Sequence, residues 1–292
     1  MFIAPPSPGT LAGEMTPVPR SLVFATDIDV LAIDRMVTRR DGYLVVRSPT
    51  NPAFWYGNFL LFDDPPGTGD RARWERLFEQ EFADEPRIRH RTFGWDRTDG
   101  ETGAAAAEFA RRAYDLECNI GLVATPGELV PHPRASREVV IRPLDPTRGG
   151  PDEALWSAVV ELQVVGRDER IAEHEHREFS RIRQDELRAL FCAGRGAWYA
   201  ALSPDAELVA SCGIVATGER GRFQAVETAA AHRRRGICSR LVVDAAAHAA
   251  AAHALSTFVI VADAGYHALG LYESLGFKRR ERVHTVCRPA TP

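Results

Sequence analysis

Apolar positions in the second half of the chain switch between helical and strand spacing. Apolar residues three or four apart predict helices over Asp152–Val165 and about Ile171–Phe191. The anchors of the second helix are Phe179, Ile182, Leu187 and Leu190. Short apolar runs predict strands at Val139–Ile141, Ala197–Leu202, Leu208–Ala216 and Arg222–Ala229. This mixture predicts an α/β fold, of the α+β kind with a mixed sheet.

The pattern continues to the end of the chain. A helix is expected from Gly236 onwards, followed by a β-rich run at Ser256–Asp263. A further helix is predicted over about Tyr266–Leu275, with Gly276 in the usual left-handed cap position. A last strand is expected at Val283–Cys287.

The first half is less regular. Asn51–Asp64 is aromatic and apolar, which fits strand material or the wall of a pocket, although ordinary core is the simpler interpretation. Trp74–Phe82 predicts a helix, residues 87–96 a strand, and residues 107–121 a helix that runs into another strand. This order of elements echoes that of the second half.

Proline-rich stretches indicate where the chain divides. Residues 1–20 are rich in proline and predict a loose leader. Three prolines between Ala124 and Glu138 predict a domain boundary. We therefore expect an N-terminal α+β domain at 21–128 and a second domain at 137–289.

Composition excludes several classes of function. The 292 residues carry a net charge of −4, which gives no overall attraction to nucleic acid or anionic membranes. The five cysteines form no C-x-x-C pair, so a disulfide framework or structural zinc is not expected and a reducing cytoplasm is the simplest compartment. We expect no signal peptide and no membrane span, since no apolar run approaches the roughly 20 residues that a span needs.

The stretch from His232 to Asp244 carries three arginines where a helix begins, although cations are disfavoured beside the positive end of a helix dipole. No Ser, Thr, Asp or Asn precedes Gly236 to cap the first N–H groups. One bound phosphate group would satisfy both the N–H groups and the arginines. An anion cradle is therefore predicted, with a solvated basic turn as the alternative. The buried stripe predicted for this helix is Ile237, Leu241, Ala245, Ala249 and Ala252.

Two motifs together resemble one family. Arg233-Arg234-Arg235-Gly236-Ile237-Cys238 resembles the pyrophosphate-binding motif Arg/Gln-x-x-Gly-x-Gly/Ala of the GCN5-related N-acetyltransferases (GNAT), with Cys238 bulkier than the usual small residue. A later signature, A-x-x-x-Y-x-x-x-G-F, matches at Ala268, Tyr272, Gly276 and Phe277. Gly265 stands where the family often has asparagine. The resemblance covers about Val139–Arg288 and implies a GNAT fold there.

The resemblance implies an N-acetyltransferase that uses acetyl-CoA as co-substrate and acts on an amine by direct attack. It places the coenzyme pyrophosphate on the cradle and the pantetheine arm along Val226-Glu227-Thr228, whose backbone would pair with it. The residues expected to bind the coenzyme are Val226, Thr228, Arg233, Arg234, Arg235, Gly236, Ile237, Cys238 and Ser239.

Tyr272 is the expected acid for the leaving thiolate, with a packed aromatic as the plain alternative. Glu227 is the candidate base, with a structural or solvent-facing glutamate, or a water chain as base, as alternatives. Cys238 at a helix start beside arginines would have a lowered pKa, which makes it a minor candidate nucleophile. His174, Glu175 and His176 do not have the spacing of a metal site, and no metal is expected.

No Arg-x-x-Gly motif stands in the first half, which suggests a degenerate GNAT-like lobe or an N-terminal domain of other origin. The rival functions are a non-catalytic acyl-CoA sensor or scaffold and, less in keeping with the acidity of the chain, nucleic-acid binding through the arginines. We expect an amine-bearing acceptor as partner and no nucleic acid or membrane. The oligomeric state is left open, with a homodimer as the candidate.

Overall fold

The structure, a computed structural model, describes residues 18–169 and 171–289. The predicted leader, residues 1–20, lies almost wholly outside them. The N-terminal half contains α1 (Leu22–Asp29), β1 (Met36–Arg40), β2 (Tyr43–Arg47), β3 (Phe59–Phe62), α2 (Asp70–Glu81), β4 (Arg91–Trp95), α3 (Ala106–Ala110) and β5 (Asp115–Ala124).

The C-terminal half contains the elements that its sequence predicts, with small shifts at their ends. They are β6 (Val140–Pro143), α4 (Glu153–Val165), α5 (Glu173–Cys192), β7 (Gly196–Leu202), β8 (Leu208–Thr217), β9 (Arg220–Thr228), α6 (Ile237–His253), β10 (Thr257–Asp263), α7 (Ala268–Ser274) and β11 (Lys278–Arg288). The last strand begins at Lys278 instead of Val283, because its first residues are charged and exposed while they already pair with β5.

All eleven described strands form one mixed sheet, in the order β1-β2-β3-β4-β11-β5-β10-β9-β8-β7-β6. The two halves exchange strands at its centre. β11 lies between β4 and β5, and β5 lies between β11 and β10. The predicted boundary between 128 and 137 falls in the connection from β5 to β6, but the sheet itself is continuous across it.

Helices cover both faces of the sheet in the C-terminal half. Alternation along β8 places Cys212 and Ile214 against α6, and Val215 against α4 and α5. Within α6 the predicted stripe is buried at Ile237, Leu241, Ala245 and Ala249. The prediction is wrong at Ala252, which is exposed because the helix has by then turned this position away from the sheet.

The buried face of α5 differs from its prediction. Phe179 and Ile182 are only partly buried, whereas Ser180, Arg183 and Gln184 are almost fully enclosed. Arg183 donates to Glu186 at 3.1 Å and to the carbonyl of Val30 at 2.7 Å. A polar face of α5 is therefore buried inside the protein, where it contacts the N-terminal half.

The connection between the halves lies directly against two glycines. A Cβ on Gly236 would collide with the carbonyl oxygen of Arg134, and one on Gly276 with the carbonyl oxygen of Glu128. Backbone hydrogen bonds hold the connection at the same two places. Ser136 N–H donates to the Gly236 carbonyl at 3.1 Å, and Val130 N–H donates to the Leu275 carbonyl at 3.0 Å. Both glycines have a positive φ, of 74° and 108°.

None of the helices in the described ranges is long and apolar enough to cross a bilayer.

We predict that Gly276→Ala lowers the free energy of unfolding by about 2–4 kcal/mol, since the new methyl group meets both a left-handed backbone and the Glu128 carbonyl. Gly270→Ala is the matched control: it lies within α7 with open space around it, and we expect no loss or a gain of about 0.5–1 kcal/mol. Urea unfolding of both variants measures the difference. Equal stabilities would contradict the packing described for Gly276.

Candidate functional site

β9 separates from β10 part of the way along its length. The two strands pair from Arg220 to Arg222 only, whereas β10 stays paired with β5 as far as Asp263. A bulge lies at the point where the strands separate, and Ala225 there has a φ of 42°. The segment from Ser211 to Gly213 on β8 lies opposite a segment of β9 that is one residue longer, Gln224–Glu227. Among the described residues, the backbone of Val226–Thr228 therefore has no strand partner on the β10 side and can accept an extended ligand there.

The start of α6 lies immediately after this open strand. Its N-cap, Gly236, is left-handed and supplies no side-chain cap. Within the described residues, none of the backbone N–H groups from Arg234 to Ser239 donates to a protein acceptor. Uncapped N–H groups at the positive end of a helix dipole form a seat for an anion.

The three arginines directly precede the start of α6, and all are exposed. Arg233 donates to the carbonyl of Thr228 at 3.2 Å, and Arg235 to Glu138 at 2.9 Å. Because both side chains of the Arg235–Glu138 pair are exposed, the pair contributes little and can exchange for a phosphate.

The other predicted coenzyme-binding residues differ in which of their groups can contact a ligand. Ile237 and Ser239 are 3% and 4% exposed, so only their N–H groups can reach a ligand. Gly236 was expected to let a ligand approach, but the place of its missing side chain is filled by the Arg134 carbonyl. The hydroxyl of Thr228 is buried without a partner among the described residues.

The expected lowering of the Cys238 pKa is wrong. Burial raises the pKa of this thiol to about 11, which outweighs the helix dipole and the nearby arginines. Cys238 is therefore a protonated thiol at neutral pH, and nothing supports it as a nucleophile.

Tyr272 lies at the other side of the cradle, on α7. Its ring is 6% exposed and packs edge-on against Phe277, with centroids 6.3 Å apart. Burial, together with the nearby thiols of Cys238 and Cys212 and the hydroxyl of Tyr266, raises the pKa of Tyr272 well above its ordinary value. The hydroxyl of this buried ring is therefore protonated at neutral pH.

Glu227 faces the opposite side of the sheet, towards α4 and α5. It is paired directly with Ser211, and Gly166 at the end of α4 lies beside its carboxylate. Its Oε2 is buried and has no hydrogen-bond partner among the described residues. Burial raises the pKa of Glu227 to about 7, although Arg233 acts in the other direction. A carboxylate with that pKa can accept a proton near neutral pH.

Sequence reasoning missed two buried polar residues, one of which is paired directly with Glu227. Ser211 is 1% exposed in the middle of an apolar strand, and Gln184 is 3% exposed on α5. A polar residue at an apolar position was the available signal for both. The residues HEHRE lie at the start of α5, and the described residues contain no cluster of metal-ligating side chains.

The N-terminal half has a counterpart of the cradle between β3 and α2. The N-cap of α2, Gly69, is also left-handed and uncapped. Here, however, the carboxylate of Asp70 accepts from the N–H of Gly67 at 2.8 Å. An acidic side chain therefore accepts from one N–H of the loop that leads into α2.

Comparison with known proteins agrees with this geometry. Residues 163–277 match the model of the acetyltransferase (GNAT) family. A functionally unknown conserved protein from Staphylococcus epidermidis has a similar structure, with TM-score 0.70 and 12% identity over 89% of this chain and 96% of that one. A GCN5-related N-acetyltransferase from Kribbella flavida has TM-score 0.59 and 15% identity over 88% and 90%. A tandem GNAT protein from the clavulanic acid biosynthesis pathway has TM-score 0.53 and 15% identity over 91% and 88%.

A search of curated proteins finds no match. The structural likenesses show the fold, and the mixed α/β architecture extends over both halves as it does in the tandem protein.

We predict that Glu227→Gln matches the wild type in stability near pH 5 and exceeds it by about 2 kcal/mol near pH 8.5. A raised folded-state pKa of about 7 means that the native protein binds more protons than the unfolded chain between about pH 4.5 and 7. The wild type therefore loses stability across that window, whereas glutamine does not titrate. Urea unfolding at the two pH values measures the difference, and parallel profiles would refute the assigned pKa.

Proposed function

We propose that this chain, whose residues 163–277 match the model of the acetyltransferase (GNAT) family, transfers an acetyl group from acetyl-CoA to a primary amine of a small molecule or protein. The observation that carries the proposal is the row of free N–H donors at the start of α6, directly beside the open edge of β9. One ligand with a diphosphate and an extended arm satisfies both features. The cytoplasm is the compartment that the free cysteines favour.

The coenzyme would sit with its diphosphate on the N–H groups of Arg234–Ser239 and against the three arginines. Charge-assisted hydrogen bonds of this kind are about twice as strong as neutral ones. The pantetheine arm would pair with the backbone of Val226–Thr228 as an added strand, because β10 has already separated from β9 there.

The side chains needed for direct attack lie on the two sides of this open strand. Glu227 would take a proton from the incoming ammonium, and its pKa of about 7 suits that role. The free amine then forms the C–N bond to the acetyl carbon, while a backbone N–H of β9 stabilises the oxyanion. Collapse breaks the C–S bond, and Tyr272 donates its proton to the departing thiolate. The nitrogen releases its remaining extra proton to solvent as the amide forms, and the tyrosinate regains a proton from solvent.

The rival function is a sensor that binds acyl-CoA without turnover. A sensor has no use for a carboxylate buried unpaired beside the ligand, since such a group lowers stability at neutral pH. Glu227 therefore favours the enzyme.

We predict that purified protein releases coenzyme A thiol from acetyl-CoA in the presence of an amine, and that Tyr272→Phe lowers kcat about 100-fold. Tyr266→Phe is the matched control, because this tyrosine is 53% exposed and its loss leaves the buried acid in place. Thiol titration during turnover is the measurement. Tight acetyl-CoA binding with no turnover on a broad amine panel would support the sensor instead.

The coenzyme seat is tested by reversing charge. We predict that Arg233→Glu combined with Arg235→Glu weakens acetyl-CoA binding at least about tenfold, since two contacts to the diphosphate become repulsive. Arg111→Glu combined with Arg112→Glu, two exposed arginines of the N-terminal half, controls for net charge. Calorimetric titration with acetyl-CoA compares the three proteins. Unchanged affinity in the double variant would remove the cradle from the proposal.

A further inference from the structure

We propose that the connection between the two halves of the chain recognises the 3′-phosphate of coenzyme A, through the side chains of Arg134 and Arg137. The inference rests on the proposed function and deepens it, since it assigns a further phosphate group of the same ligand to residues of this chain. Both arginines lie outside residues 163–277, the part of the chain that matches the family model. The chemistry recognised is a phosphomonoester, which carries about 1.5–2 negative charges at neutral pH.

The connection is held directly against the start of α6. The carbonyl oxygen of Arg134 occupies the place of the missing side chain of Gly236, and the N–H of Ser136 donates to the Gly236 carbonyl at 3.1 Å. A turn holds the same residues from the other side. The Ala135 N–H donates to the His132 carbonyl at 2.8 Å, and the Arg134 N–H donates to Nδ1 of His132 at 3.1 Å. The backbone of Arg134 is therefore fixed beside the proposed diphosphate seat.

Arg137 lies between residues whose positions are also fixed. Ser136 before it and Val139 after it are both 8% exposed. Glu138, which directly follows Arg137, accepts from Arg235 at 2.9 Å. Arg137 itself is exposed. Its guanidinium group therefore starts from a fixed backbone next to the arginines that precede α6, and a ligand in solvent can reach it.

Neither guanidinium group has a partner. Within the described residues, the side chains of Arg134 and Arg137 make no hydrogen bond and no ion pair, and both residues are exposed. Other exposed arginines of this chain have carboxylate partners. Arg87 is paired with Glu85 at 2.6 Å, and Arg279 with Glu273 at 2.7 Å. The two arginines of the connection are therefore free to bind an external anion.

The charge beside the start of α6 exceeds what a diphosphate neutralises. Residues 134–138 and 232–239 together hold five arginines and one glutamate, which leaves four positive charges, although the whole chain carries a net charge of −4. The diphosphate bridge of coenzyme A supplies about two negative charges, and its phosphomonoester supplies about 1.5–2 more. The complete coenzyme thus matches the local charge, whereas the diphosphate alone does not.

The covalent structure of coenzyme A brings its 3′-phosphate close to the connection. The 3′-phosphate and the diphosphate are attached to the same ribose, so a diphosphate at the start of α6 keeps the other phosphate nearby. Arg233 is directed towards β9, where it donates to the Thr228 carbonyl at 3.2 Å. The connection, which contacts Gly236, supplies two guanidinium groups without another acceptor. A guanidinium group binds a phosphate through two parallel hydrogen bonds, which favours these residues for that contact.

The test compares two coenzymes that differ in one phosphate group. Calorimetry measures the binding of coenzyme A and of 3′-dephospho-coenzyme A to the full chain. We expect the wild type to bind coenzyme A at least about tenfold more tightly, because charge-assisted hydrogen bonds to the 3′-phosphate are lost with the analogue.

Arg134→Gln combined with Arg137→Gln removes the two charges and keeps polar side chains of similar length. We expect this variant to bind the two coenzymes with affinities within about twofold of each other, with its affinity for 3′-dephospho-coenzyme A unchanged. Arg111→Gln combined with Arg112→Gln is the matched control, since it removes two exposed arginines elsewhere and should keep the full preference. Thermal unfolding should be the same for all three proteins, because the replaced side chains are exposed.

Turnover gives a second readout. In the Arg134→Gln, Arg137→Gln variant the KM for acetyl-CoA should rise about tenfold while kcat stays unchanged, because the 3′-phosphate takes no part in the chemical step. The KM for 3′-dephospho-acetyl-CoA should be the same in the variant and in the wild type.

The outcomes separate the inference from the proposed function. If the wild type binds both coenzymes equally, or if the double variant keeps the preference, the connection does not recognise the 3′-phosphate and the acetyltransferase stands. An equal loss of affinity for both coenzymes would mean that the two arginines act on the diphosphate, which also overturns the inference. If neither coenzyme binds, the proposed function fails and the inference fails with it.

Discussion

The pairing of β5 with β11 is the constraint on which the rest of the molecule depends. Each strand ends one half of the chain and is inserted beside the other half. This arrangement also allows β9 to separate from β10 at the candidate site. Because β5 satisfies one edge of β10 as far as Asp263, β9 can leave β10 after Arg222 without leaving β10 unsupported. The N-terminal half thus supplies β5, the strand that supports β10 beside the open edge of β9.

Solvent access decides the electrostatics of the site. The arginines before α6 lie beside the positive end of a helix dipole, yet they are exposed and water screens the repulsion. Cys238 and Glu227 are enclosed nearby, and for both desolvation is the largest influence on the pKa. This part of the chain therefore holds permanent cations at the surface and, beneath it, acids whose pKa is raised by burial.

Local pattern was enough to predict the helices and strands of the second half, the uncapped start of α6 and the position of Tyr272. It was not enough to predict on which face of the sheet Glu227 lies, because the bulge at Ala225 interrupts the alternation of side chains along β9. The strand exchange and the contact of Arg134 with Gly236 join residues far apart in sequence, and no local period records such pairings. The buried face of α5 was predicted at Leu187 and Leu190 but not in its first half, where polar residues are buried instead of Phe179 and Ile182 and hydrophobic spacing gives no signal.

The two halves also differ in how they treat the same backbone geometry. Gly69 and Gly236 both begin a helix in the left-handed conformation without a side-chain cap. Asp70 then turns its carboxylate back to the N–H of Gly67, so the first half supplies its own anion. In the second half the following residue is Ile237, whose side chain belongs to the core, and the donors remain unpaired. In the first half a side chain of the protein thus accepts from one N–H before the helix, whereas none among the described residues does so at the start of α6. The N-terminal half also contributes contacts: Asp27 and Asp29 of α1 bind Arg222 and Arg220 at the start of β9, which anchors that strand before the point where it opens.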